Sequence, residues 1–278
     1  MPRFEYVRIS LAQITTGPLF DGVPERRTIP QRGDILRAIF AVRRDFIHHS
    51  KKFSFVPMDA PDGYVAGFFG RAVKVRGKSG PDKKYATEII ETNDSALFLL
   101  QMAEDSQIAA MEHKQAVGSP KGIIEALLQS LHNLDGFRDY APHVQYISSE
   151  ETYWAAVNEN KGTITNITFT FIPPNALKSR ETVMIFIADA AKYANVDTLK
   201  HTYESKVGAI NPEADILAGS ADVALKGGGE ATVRVGRKVV FSSSQSRKVV
   251  DIPNEEVPES SEQSSIVMDI IRKIFGKL

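Results

Sequence analysis

Glu112-His113-Lys114 is the triplet in this chain closest to a catalytic element. In metal-dependent nucleases a carboxylate two residues before a lysine holds Mg²⁺ while the lysine orients water. An acid-x-Lys triplet occurs four times in the 278 residues, so the pattern alone carries little. If the surrounding apolar runs form a hairpin turning at Asp105-Ser106, Leu99 faces Glu112. Asp94, the nearest second carboxylate, then falls about five residues from that point at ~3.3 Å each, too far to share a metal. Residues 72–79, AVKVRGKS, fit a relaxed phosphate-loop pattern. That loop must open a helix whose amides face the phosphates, whereas Pro81 and Asp82-Lys83-Lys84 follow here and the preceding residues alternate as a strand. The histidines at 48, 49, 113, 132, 143 and 201 include no i,i+4 pair for a helical zinc site. Ser242, Ser243, Ser244 and Ser246 read as turn chemistry without a nucleophile elbow. The absence of cysteine excludes disulfides, thiolate metal sites and Cys nucleophiles. The expectation is a protein without cofactor or metal, with Glu112 and Lys114 as the enzymatic alternative.

Charge distribution points elsewhere. The net charge is zero, but it is segregated along the chain. Residues 26–84 carry fourteen Lys and Arg against five acids, residues 85–160 three against twelve, and residues 226–251 six against two. A folded surface built from such blocks has a basic and an acidic face, and local potential steers a polyanion more than net charge does. The candidate phosphate-binding residues are Arg26, Arg27, Arg43, Arg44, Lys51, Lys52, Arg71, Lys74, Arg76, Lys78, Lys83 and Lys84, extended by Arg237, Lys238, Arg247 and Lys248. The acidic block offers a third reading, a protein-binding adaptor or sensor.

The elements that must position these residues are short and mixed, which predicts an α+β fold of antiparallel or mixed sheets with packed helices. Residues 161–175, KGTITNITFTFIPPN, read as a central strand with Thr163, Thr165, Ile167, Phe169 and Phe171 on the core face, stopped by Pro173 and Pro174. A helix over 180–194 would pack back on it through Val183, Met184, Ile187, Ala190 and Ala191. Residues 4–11 alternate as a strand, and residues 16–30 read as a loop. From Asp34, Ile35, Ile39, Val42 and Phe46 recur at helical spacing, which puts Arg37, Arg43, Arg44 and His48 on the helix's exposed side. Strands follow over 53–56, 64–75 and 85–91, with a basic turn at 76–84 and then the hairpin 95–103/107–117. Ser119-Pro120 caps a helix. A short strand surrounds Val144, a helix covers 150–157, and a strand covers 196–205. A helix beginning at Asn211-Pro212 ends at Gly227-Gly228-Gly229. Residues 230–252 form a three-strand meander.

The organisation expected is a basic region 1–118, a second α+β region 119–252, a Glu/Ser/Pro-rich linker 253–265 and an amphipathic helix 266–278. Ile270, Ile274 and Phe275 lie on that helix's apolar face, which would pack on its own domain, dock a partner or second copy of the chain, or lie on a membrane. The chain shows no internal repeat and no apolar run of the ~20 residues a membrane span needs, and it reads as a soluble cytoplasmic protein.

At KGTITNITFTFIPPN, and again at Gly227-Gly228-Gly229-Glu230-Ala231-Thr232-Val233 followed by RKVVFSSSQSRKVV (237–250), the chain resembles a family of bacterial proteins associated with antiphage defence by abortive infection. Its order of elements from 95 to 227 is similar to that of the DNA-binding exclusion protein A of the Rex pair of lambda-type phages. A looser likeness exists to the DNA-binding component of the Kiwa system. The resemblance implies a homodimer that binds double-stranded DNA without sequence preference and without catalysis, beside a membrane-protein partner.

Overall fold

The computed structural model describes residues 1–13, 32–103, 107–131, 133–134, 137–138, 140–172, 198–258, 260 and 264–276. Arg26, Arg27, Pro173, Pro174 and the helix expected over 180–194 lie outside them.

Twelve strands and five α-helices of the described residues build an α+β fold around two antiparallel sheets. The larger sheet uses β1 (Arg3–Gln13), β2 (Arg44–His48), β3 (Lys51–Met58), β4 (Tyr64–Lys78), β5 (Thr87–Met102), β6 (Gln107–Glu112), β7 (Tyr140–Tyr146) and β12 (Val249–Asp251). Its order is β12-β1-β6-β5-β4-β3-β2, with β7 also paired to β1. The smaller sheet, β11-β10-β8-β9, uses β8 (Asn166–Phe171), β9 (Leu199–Glu204), β10 (Gly229–Val235) and β11 (Lys238–Ser242). The larger sheet draws strands from both sides of position 118, so the sheets do not divide where composition suggested.

β1 is buried on both faces because helices cover the sheet on both sides. Val7, Ile9 and Leu11 share a core with α1 (Arg32–Phe40) and α2 (Pro120–Ser130), while Phe4 and Tyr6 share one with α5 (Ser264–Phe275). Ser119 caps α2 as expected, its hydroxyl accepting from Gly122 N at 3.3 Å. The apolar stripe of α5 lies against Phe68, Leu97 and Leu99, and the Tyr6 hydroxyl donates to Ile274 O at 2.6 Å. Burial pushes the Tyr6 phenol up to about 12. Ile270, Ile274 and Phe275 are therefore buried in their own chain. This bears out packing on its own domain and corrects the assignment of these three residues as a docking face, since each buried apolar side chain is worth about 1.5–3 kcal/mol to the fold itself.

In the smaller sheet β8 lies between β10 and β9, and its face of Ile167, Phe169 and Phe171 is buried as its alternation predicts; the strand begins only at Asn166, however, and Thr163, expected on that face, is exposed while Ile164 is buried. The core there is completed by Tyr153 and Val157 of α3 (Glu150–Glu159) and Leu217 and Ala221 of α4 (Asp215–Val223). Past α4 the chain makes a π-helical turn, Ala224–Gly228, in which Gly227 has φ 80°. A Cβ at Gly227 would sit 2.7 Å from the Arg8 Cβ, so glycine also allows the two sheets' elements to meet.

Three expected elements differ. The helix after Asp34 stops at Phe40, and Phe46 belongs to β2, where it stacks on Phe53 at 5.6 Å. Arg44 and His48 are thus strand residues, and Arg43 sits just before β2. The strands expected over 85–91 and 95–103 are one sixteen-residue strand, β5, from Thr87 to Met102. The meander does not exist as such: β10 and β11 form a hairpin, whereas β12 leaves to pair with β1.

Candidate nucleic-acid interface

β4 and β5 are longer than the sheet that holds them. β4 pairs with β3 only as far as Gly70, and β5 pairs with β6 only from Phe98, yet β4 and β5 pair with each other out to Lys78↔Thr87. Residues 71–78 and 87–94 therefore leave the body as a two-stranded ribbon, about 23 Å long at ~3.3 Å per residue. Its end turns through Pro81–Lys83, and Lys84 and Tyr85 then occupy the left-handed region at φ 54° and 56°. Hydrogen bonds from Ser79 N to Ala86 O at 2.9 Å, Lys84 N to Pro81 O at 2.9 Å and Tyr85 N to Gly80 O at 3.4 Å close the turn, with the Ser79 hydroxyl also donating to Ala86 O at 3.0 Å.

The pleat sorts the ribbon's side chains. Val73, Val75, Ile90 and Thr92 lie on one face; Lys74, Arg76 and Lys78 lie on the other, opposite Glu91, Ile89 and Thr87. Ser54 pairs with Gly70, so Lys52 falls on that same basic face at the ribbon's root. The row Lys52, Lys74, Arg76, Lys78 is thus one line of cations, with neighbours on β4 about 6.7 Å apart. Lys74 meets Glu91 at 3.0 Å, and Lys78 Nζ donates to Thr87 Oγ1 at 3.3 Å. Lys52, Arg76 and Lys84 meet no carboxylate within ion-pair distance among the described residues. At the root, Arg43, Asp45, Lys52, Ser54, Asn93 and Ser95 help line a shallow cleft of about 760 Å³.

The remaining candidates divide sharply. Lys51 is exposed beside Lys52, and Arg43 is held by Asp45 at 3.3 Å. Arg44 Nε donates to Ile39 O at 3.3 Å, and Arg71 Nε donates to Ala116 O with its guanidinium over the Phe53 ring. Arg247 is occupied inside the molecule: Nη1 donates to both carboxylate oxygens of Glu5, at 3.0 and 2.9 Å, and the guanidinium lies 4.0 Å from the Tyr146 ring centre. Only 30% of its side chain is exposed. Lys248 lies over the Tyr6 ring. Arg237 and Lys238 are exposed at the β10–β11 turn, on the other sheet. The structure therefore brings together Lys52, Lys74, Arg76, Lys78 and Lys84, and turns Lys51 to the opposite face of β3, the side of Phe53 and Phe55. It removes Arg44, Arg71, Arg247 and Lys248 from a phosphate-contact role, because each is held by internal acceptors or rings. The Lys83 side chain lies outside the described residues.

Sequence reasoning missed the ribbon's exposed apolar side chains. Ile89 is 67% and Tyr85 62% exposed. The alternation of 85–91 signalled a strand, and its separation from the apolar run at 95–103 was the one hint that this half had no core to face.

Glu112 and Lys114 behave differently from the hairpin expectation. The register Phe98↔Met111 places Glu112 beside Leu97 rather than Leu99, and Leu97 N donates to Glu112 Oε2 at 3.3 Å. Asp94 is thereby nearer than expected. The space between the carboxylates is taken by the Lys114 ammonium, 3.4 Å from Glu112 Oε2, 3.9 Å from Asp94 Oδ1 and 2.7 Å from Ser95 O. Burial pushes the Glu112 carboxyl above the usual carboxylate range, partly opposed by Lys114. Among the described residues no three His, Asp or Glu side chains cluster to hold a metal. This arrangement is a buried ion pair that closes the end of β6 and does not support a metal-dependent nuclease.

Compared with known protein families and with curated proteins, the chain matches none. Among the described residues no helix is long and apolar enough to cross a membrane.

Proposed function

We propose that the protein binds double-stranded DNA without sequence preference, through phosphate contacts made by the basic face of the β4–β5 ribbon. The observation that carries this reading is the row Lys52, Lys74, Arg76 and Lys78 on one side of a projecting ribbon, with only Lys74 of the four paired to an acid. Side chains that alternate on a strand recur about every 6.7 Å. That matches two phosphate steps of one DNA strand at ~3.4 Å each along the helix axis. Lys84 extends the row at the ribbon's turn. Contacts of this kind fix position and carry no base information, which gives weak sequence preference.

The resemblance to antiphage proteins supports a role in phage exclusion, with the protein acting as a homodimer in the cytoplasm beside a membrane-protein partner. The test of the binding reading is affinity for a 30-base-pair duplex between 50 and 300 mM salt. Binding should weaken steeply with salt, and the variant K52A/R76A/K78A should lose both affinity and salt dependence. Salt-insensitive binding, or unchanged binding by that variant, refutes it. Plating efficiency of phage on cells carrying the same variant tests the defence role.

A further inference from the structure

Resting on that reading, we infer that the end of the ribbon is a wedge: its tip enters a groove of the duplex, and the Tyr85 ring inserts against a base step, unstacking it and bending the DNA.

Three independent features meet at the tip. The first is reach. The ribbon projects about 23 Å at ~3.3 Å per residue, and the major groove, about 12 Å wide and 8.5 Å deep, admits a two-stranded ribbon. With the ribbon laid along the groove, its turn can dip between the phosphate rows while Lys74, Arg76 and Lys78 face one of them.

The second is the chemistry presented there. Tyr85 is 62% exposed on a chain whose other large aromatics are mostly packed in its cores, and Pro81 lies in the same turn. An exposed aromatic costs solvation without contributing to the fold, whereas a ring beside opened bases gains a stacking surface. Side chains inserted between base steps unstack them and bend the duplex.

The third is backbone. Lys84 and Tyr85 are consecutive non-glycine residues in the left-handed region, a conformation that glycine or asparagine would adopt more easily. The turn keeps a bulky ring at the end of the arm and a lysine next to it, where a Gly-containing turn would leave the tip bare. The energy of the bend is offset by extra phosphate contacts along the wrapped duplex.

The test uses the full chain and a 26-base-pair duplex with donor and acceptor dyes at its ends. Wild-type protein should raise energy transfer on binding. Tyr85→Ala should keep affinity within about threefold at 100 mM salt while losing most of the rise, and Tyr85→Phe should restore it. A rise in Tyr85→Ala equal to wild type overturns the wedge. Tight wild-type binding with no rise overturns it too, while leaving the phosphate reading intact; no binding at all removes both. A wild-type dimer that dissociates in the centrifuge on Tyr85→Ala assigns the tip to a second copy of the chain and also overturns the inference.

Discussion

The same residue types have opposite fates in the body of the larger sheet and in its ribbon. In the body and at the ribbon's root, Arg44, Arg71 and Arg247 point where carbonyls, rings and the Glu5 carboxylate are already placed, so their charge is consumed by the fold. On the ribbon, strands with no third neighbour hold Arg76 and Lys78 out in water, and of that row only Lys74 has a carboxylate opposite. A block count of charge sums both populations. What distinguishes them is whether the strand that carries the cation has a covered face.

Breaking the body side should give the largest effect. Glu5→Ala strips a carboxylate from Arg247 and His113 in a site where Glu5 is almost fully buried. It should cost about 3 kcal/mol of stability, read as a lower urea midpoint, with the salt slope of DNA binding unchanged. On the ribbon side, K52A/R76A/K78A should leave the urea midpoint in place. It should lower the slope of log K against log salt by about 2.7, roughly 0.9 for each phosphate no longer neutralised. Affinity near 0.1 M salt should fall on the order of a hundredfold, about 2.7 kcal/mol. Equal effects of the two variants on binding would erase the distinction.

Arg71 sharpens the boundary, because it sits where the ribbon leaves the sheet. Arg71→Ala should destabilise by about 1–2 kcal/mol, because it removes the hydrogen bond to Ala116 O and the guanidinium over the Phe53 ring. The salt slope should not move. A drop in that slope places Arg71 with the ribbon cations instead.

The smallest effect is a pH dependence at Glu112. Its folded-state carboxyl titrates above the unfolded value of 4.5, so the folded state holds the proton more tightly. That contribution is complete below about pH 4.5 and is lost as pH rises through the folded value. Wild type should therefore lose stability relative to Glu112→Gln from about pH 4.5 upward, in paired urea titrations. Mg²⁺ should produce no cleavage of DNA by either protein.

Much of the strand inventory was legible because alternation is a local property. Residues 4–11, 64–75 and 166–171 announce half- or fully buried strands by side-chain type alone. The hairpin β2–β3 was hidden because its two-residue turn, His49-Ser50, adopts left-handed φ values of 46° and 60° without the Asn-Gly or Asp-Gly that marks such turns. Val42 and Phe46 then continued the helical spacing of Ile35 and Ile39. The meander was misread for a related reason: nothing local to residues 247–252 says that β12 pairs with β1, some 245 residues earlier, instead of with β11.

By itself the sequence determined that this chain folds with mixed elements, that it has no thiol chemistry, and that its positive charge lies in two blocks. Those properties follow from residue type and near-neighbour spacing. Only the tertiary structure decided which cations face water, because that depends on strand register and on where one strand outruns its neighbours. A one-residue change in pairing turns every side chain of a strand to its other face, and no count along the chain contains that information.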